Sequence, residues 1–167
     1  MRITHVTIER ATAPTDDVRA LVGELEEALA AEYLPEQRHG LALDALFRPN
    51  IHFFVARGDA GEGAAAVGCG GVALFADFAE VKRMYVRPPA RGLGVAEALL
   101  ARVEAATREA GLAHLRLETG DRQTAAIRFY ERMGFSRCAA FGTYAAMPAA
   151  SILTSLFFEK RLAGSAA

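Results

Sequence analysis

Along the chain, short apolar blocks switch between a period of two and a period near 3.6, which predicts a series of strands and helices. ITHVTIE (3–9) alternates as a first strand, and TAPTDDVRALVGELEEALAAEY follows with a Thr and Pro entry, early acids, and Val18, Leu21, Val22, Leu25 and Leu29 at helical spacing. A polar LPEQRHG leads to a short helical candidate, LALDALF, which RPN closes before the strand IHFFVAR. GDAGEG is a turn between that strand and AAAVGCGGVALF, so these two should form a hairpin. AEVKRMYVRPP is a fourth strand, with Glu80, Lys82, Met84 and Val86 on one face and Val81, Arg83 and Tyr85 on the other. Gly94 to Ala110 is an amphipathic helix with Leu99, Val103, Ala106 and Ala110 on one stripe and Gly111 as its C-cap. AHLRLET, RQTAAIRFYERMG, SRCAAF and ILTSLFFEKRL then read as strand, helix, strand and strand. The pattern fits one α+β or α/β sheet with helices on both faces.

Length and charge narrow the picture further. The 167 residues suit a single domain, taken as 1–162 with AGSAA (163–167) as a frayed tail. Apolar residues are 52% of the chain, yet none of the runs approaches the roughly 20 residues a membrane helix needs, and the N-terminus lacks a signal-type apolar region. A soluble, cytoplasmic protein is expected, with no membrane partner. With 19 basic and 20 acidic side chains there is no broad positive field for nucleic acid, so an anionic ligand must be held locally. Cys69 and Cys138 are too few for a disulfide framework or zinc cluster, and His5, His39, His52 and His114 lack metal spacing. No metal is expected.

The segment RGLGVA (91–96) sits between the fourth strand and the long helix. Such a loop presents unpaired N–H groups at the positive end of a helix dipole, where phosphate oxygens bind well; a plain tight turn is the simpler reading of the hexamer alone. A Walker loop needs Lys and Ser or Thr after its last glycine, and here Val95 and Ala96 follow Gly94. A dinucleotide fingerprint would put a glycine at Glu97, although Glu118 at the end of the next strand imitates the ribose acid. A third pattern, R/Q-x-x-G-x-G/A, is filled by Arg91, Gly94 and Ala96.

On that loop and its flanks, AEVKRMYVRPPARGLGVAEALLARVE and LRLETGDRQTAAIRFYERMGF, the chain resembles the GCN5-related N-acetyltransferase (GNAT) superfamily from about Val67 to Phe135. LETGDRQ, FGTY and SLFFEK resemble blocks of a bacterial subgroup, with AAMPAASILT making the interval between the last two longer than usual. The resemblance implies a mixed, mostly antiparallel sheet of about seven strands with about four helices on both faces, and acetyl-CoA as co-substrate. It implies that the amides of Arg91, Gly92, Leu93, Gly94, Val95 and Ala96 hold the pyrophosphate, and that the backbone of Met84, Tyr85 and Val86 pairs with the pantetheine arm. Gln123 stands where much of the superfamily has an Asn that helps hold CoA.

Moving an acetyl group from a thioester to an amine requires a neutral amine, donors for the oxyanion and a proton for the leaving thiolate. By the resemblance, Tyr130 in IRFYERMGF is the general acid, a phenol whose ordinary pKa near 10 keeps it protonated at neutral pH. Its helical spacing from Ala126 and Ile127 equally suits a core tyrosine. Glu80, eleven residues before Arg91, stands at the interval of the base glutamate in histone-acetylating members, while Lys82 on the same face offers it a salt bridge instead. A backbone N–H at Met84 or its neighbour would meet the oxyanion. Cys69, among small apolar residues, reads as packing and not as a covalent carrier. The expected function is N-acetylation of a primary amine, on a small molecule or a protein, by direct attack in a ternary complex; a non-catalytic acyl-CoA-binding module is the alternative. Glu32, Tyr33, His39 and Tyr144 lie in segments that set the acceptor, without spelling out which amine it is, and a homodimer is left open.

Overall fold

Alternation along β2 (Ile51–Asp59) sends Phe53 and Val55 to one face of the sheet and Phe54 and Ala56 to the other, and all four are buried. A strand buried on both sides needs cover on both sides. The computed structural model, which describes residues 3–59 and 63–164, supplies it. On one face α1 (Asp16–Ala30) packs Val18, Leu21 and Val22 against Phe53, Val55 and Cys69. On the other, α2 (Val95–Glu109) lays Leu99, Val103 and Ala106 over Phe54, Val67 and Val81, and α3 (Thr124–Arg132) adds Phe129 and Tyr130 to the same cluster. Each buried Val, Leu or Phe among these contributes about 1.5–3 kcal/mol.

The remaining strands are β1 (Val6–Ala11), β3 (Ala64–Leu74), β4 (Ala79–Val86), β5 (His114–Gly120), β6 (Ser136–Cys138) and β7 (Ser155–Arg161). They join β2 in one seven-stranded sheet of order β1-β2-β3-β4-β5-β7-β6. Every pairing is antiparallel except β4 with β5. β2 and β3 pair as the expected hairpin, although residues 60–62 of its turn lie outside the described residues, as do residues 165–167 of the tail.

The helix count differs from the expectation of about four. Three α-helices form among the described residues, and LALDALF instead makes a 3₁₀ turn at Leu43–Phe47. Five residues between an extended Ala42 and an extended Arg48 cannot offset the cost of nucleating an α-helix, whereas a 3₁₀ turn still buries Leu46. β6 keeps only three residues of SRCAAF, because the chain leaves the sheet for 3₁₀ turns at Gly142–Ala146 and Ala149–Ser151.

Candidate active site

β4 and β5 run parallel, yet their ladder holds only Ala79 opposite Leu115 and Glu80 opposite Arg116. Beyond Glu80 the strands separate. The cause lies on the other edge of β4, where the register passes from Gly71 opposite Lys82 to Cys69 opposite Tyr85, setting Arg83 and Met84 against Gly70 alone. Such a bulge bends its strand. Arg83 takes the left-handed conformation at φ 55°, which costs a non-glycine residue about 1–3 kcal/mol. Its guanidinium offsets that cost by donating to Leu41 C=O from Nε at 3.0 Å and from Nη2 at 2.6 Å, and by pairing with Glu26 of α1. The peptide edge of β4 from Val81 onward therefore faces a cleft with no partner strand.

The cleft has a cavity of about 130 Å³, and its walls include Met84 on β4, Glu118 to Gly120 on β5, and Gln123 and Tyr130 at α3. Met84 turns its side chain toward it, whereas Tyr85 packs on the α1 side, where loss of water and the nearby Glu24 raise its phenol pKa. Val86 packs against the α2 cluster. At the far end of β4 the loop enters α2 through Gly92 at φ 75° and Gly94 at φ 84°. The first intrahelical bond runs from Ala98 N–H to Gly94 C=O, and Gly94 offers no side-chain cap, so the amides of Val95, Ala96 and Glu97 are free of acceptors among the described residues. Leu93 is exposed at the tip and Val95 is buried beneath it. Arg91 folds back, donating to Val86 C=O at 2.9 Å with its guanidinium over the Tyr85 ring. Seven of the expected cofactor residues, Arg91 to Ala96 and Met84, thus sit along one run from loop to cleft. Gln123 stands apart from the loop, at the N-terminus of α3.

Tyr130 lies in the cleft wall, 6% exposed, with its ring edge-on to Phe135 at 5.5 Å. Its hydroxyl makes no hydrogen bond among the described residues, and burial alone pushes its pKa upward. The phenol is held in its protonated form.

At the opposite end of the cleft two side chains, Tyr144 and Lys82, meet the Glu80 carboxylate. Tyr144 donates its hydroxyl to Glu80 Oε1 at 2.6 Å, Lys82 Nζ pairs with the same oxygen at 3.1 Å, and Lys82 also donates to the Tyr144 hydroxyl at 2.9 Å. Loss of water and the Glu80 charge push the Tyr144 phenol upward too. The alternation of Glu80 and Lys82 on one strand face anticipates their pairing; Tyr144 arrives from 64 residues away, a contact no local pattern announces. Next to this cluster the Glu118 carboxyl is raised to about 7, mainly by loss of water, with Lys82 opposing the rise and Glu80 adding to it.

Cys69 is fully buried, and burial pushes its thiol up to about 12, as suits a packing residue. Among the described residues no group of His, Cys, Asp and Glu is placed to hold a metal ion, and no helix is long and apolar enough to cross a membrane.

The model of the Acetyltransferase (GNAT) family matches residues 18–135. The chain belongs to the GNAT acetyltransferase family. An IAA acetyltransferase from Azospirillum brasilense is 41% identical to this GNAT protein over 160 residues, covering 95% of this chain and 99% of its own. A solved structure from Klebsiella pneumoniae, assigned as an acyl-CoA N-acyltransferase, is 34% identical with a TM-score of 0.71, covering 95% of this chain and 98% of its own. The PaiA N-acetyltransferase of Thermoplasma acidophilum, solved in complex with coenzyme A, shares the GNAT fold at 18% identity and a TM-score of 0.61, over 93% of this chain and 99% of its own. The chain is thus an acetyl-CoA-dependent acyltransferase, and the reading as a non-catalytic module is set aside. Its residues fit that co-substrate: free amides at a positive-φ loop suit a diphosphate, and the unpartnered edge of β4 suits an arm rich in amides.

Proposed function

We propose that this enzyme moves the acetyl group of acetyl-CoA to a primary amine by direct attack within a ternary complex. The observation that carries the reading is the splayed β4–β5 cleft, with a protonated phenol in its wall and carboxylates at its other end. Gly92 to Ala96 bind the diphosphate through backbone amides, the Arg91 N–H being already donated to Pro88 C=O at 3.2 Å, and the exposed edge from Met84 to Val86 orients the pantetheine arm. Gln123, at the start of α3, steadies the cofactor from the opposite wall. Acetyl-CoA supplies an activated acyl group on a thioester. Tyr130 holds the proton that the departing thiolate needs, and its burial keeps that proton in place at neutral pH. A β4 amide at Met84 or its neighbour stands where a developing oxyanion is stabilised.

The attacking amine loses its proton to a carboxylate of the cleft, for which Glu80 is the candidate from sequence. The acceptor is a small molecule or a protein amine, reached from the side of His39 and Tyr144. His39 is fixed there by its Nε2 contact of 2.7 Å with Ser151 C=O. That bond ties the segment ahead of β2 to the long AAMPAASILT insert, so the insert shapes the acceptor mouth. Tyr130→Phe tests the acid role. A general acid is worth roughly 10²–10⁴ in rate, so kcat should fall at least about a hundredfold while the acetyl-CoA Kd changes less than about twofold. Unchanged kcat removes Tyr130 from the chemistry.

A further inference from the structure

Two carboxylates face one cleft, and only one of them is committed to partners. Glu80 carries both the Tyr144 hydroxyl and Lys82 on Oε1, with the Glu80 and Lys82 side chains 6% and 12% exposed. Glu80 Oε1 already holds two donors, so an acceptor ammonium that used this oxygen would have to displace one of them. Glu118 lines the same cleft from β5 and makes neither an ion pair nor a hydrogen bond among the described residues. Ser155 Oγ of β7 lies near enough to favour its charge yet outside hydrogen-bond geometry, and is itself buried without a partner. We propose that Glu118 is the catalytic residue that takes the proton of the acceptor ammonium, with Glu80 a positioning residue held by Lys82 and Tyr144. The proposal rests on the amine-acetylating reading of this cleft.

One N–H proton of the ammonium passes to a Glu118 oxygen, and the freed nitrogen lone pair forms the C–N bond as the C–S bond of the thioester breaks. The departing sulfur takes the phenolic proton of Tyr130, the second proton shed by nitrogen restores the phenol, and Glu118 releases its proton to water. Loss of water sets the proton affinity of Glu118 first, then Lys82 and Glu80 on β4 and Ser155 on β7, with Tyr144 of the 3₁₀ turn coupled to it; Arg38 and His39, ahead of β2, line the same cleft. Arg116, on its own strand, is turned to the Phe78 and Phe141 rings and to Glu159. A carboxyl raised to about 7 by loss of water is a far better proton acceptor than an ordinary one, and remains ionised often enough to act.

The test is kcat/KM against pH for wild type, Glu118→Gln and Glu80→Gln, using phenethylamine, 1,4-diaminobutane and lysine with saturating acetyl-CoA and free CoA as the readout. Wild type should rise through a break near 7. E118Q should lose about a hundredfold at pH 8 and lose the break, whereas E80Q should keep a break moved to lower pH, because a negative neighbour is gone and Lys82 is released. An E118Q profile that keeps the break, or an E80Q profile that loses it, overturns the assignment alone. Failure of every amine to release CoA overturns the functional reading and the assignment with it. Melting curves of the free protein give a readout independent of turnover. The folded carboxyl titrates above its unfolded value, so ionisation of Glu118 destabilises progressively from about 4.5 to about 7 and fully above. The Tm of E118Q relative to wild type should therefore climb over that window and level off beyond it; a difference that stays flat from pH 4.5 to 8 contradicts the proposal.

Discussion

Gly94→Ala separates backbone strain from crowding, because no atom lies within 4 Å of the place a Cβ would occupy, while the residue stands at φ 84°. An L residue held in that region costs about 1–2 kcal/mol. The smaller unfolded-state entropy of Ala returns about 0.4–1 kcal/mol, so a net loss near 1 kcal/mol is expected. The loss must surface in one of two quantities. If the loop keeps its shape, unfolding free energy falls by that amount and acetyl-CoA affinity is unchanged. If the loop relaxes, stability is spared and binding must restore the arrangement of amides, weakening Kd by about fivefold or more, since about 1.4 kcal/mol is tenfold. Urea denaturation and calorimetric titration with acetyl-CoA measure the two, and their sum is the quantity to check. A variant that loses neither stability nor affinity would show that the left-handed turn does not shape the site.

Gly23→Ala is the matching control: Gly23 lies inside α1, exposed and with nothing near a new Cβ, so the substitution should stabilise by about 0.5–1 kcal/mol in the same urea assay. Tyr144→Phe removes a hydrogen bond of 2.6 Å to a buried carboxylate; bonds to charged groups contribute about 1.5–3 kcal/mol, so unfolding free energy should fall by that order and the apparent KM for amine should rise with acetyl-CoA affinity intact. A Y144F protein as stable as wild type would show that Lys82 alone satisfies Glu80.

Period and punctuation carried most of the fold. The 3.6 spacing of Leu99, Val103 and Ala106 and the two-residue alternation of Phe53 and Phe54 predict which faces are covered, because local geometry alone decides them. The length of LALDALF exposed its weakness as an α-helix only against the fixed ends at Ala42 and Arg48. The bulge at Arg83 has no sequence signature of its own: a non-glycine at φ 55° is stable there because Leu41 and Glu26, distant in the chain, receive its guanidinium. The loop from Arg91 to Ala96 was visible as a motif, and Tyr130 as part of another. Glu118 stood out only as an echo of a ribose-binding acid, since what distinguishes it, loss of water beside Glu80 and Lys82, is created by strands meeting in space.

The central claim is that the amides at the entrance to α2 grip the diphosphate and so bring the thioester to Tyr130. A crystal structure of the protein with coenzyme A tests it most directly. The expected result places the diphosphate oxygens on the N–H groups between Gly92 and Glu97, with the sulfur inside the β4–β5 opening within hydrogen-bond reach of the Tyr130 hydroxyl. Coenzyme A bound elsewhere, or with its sulfur turned away from that phenol, would contradict the account.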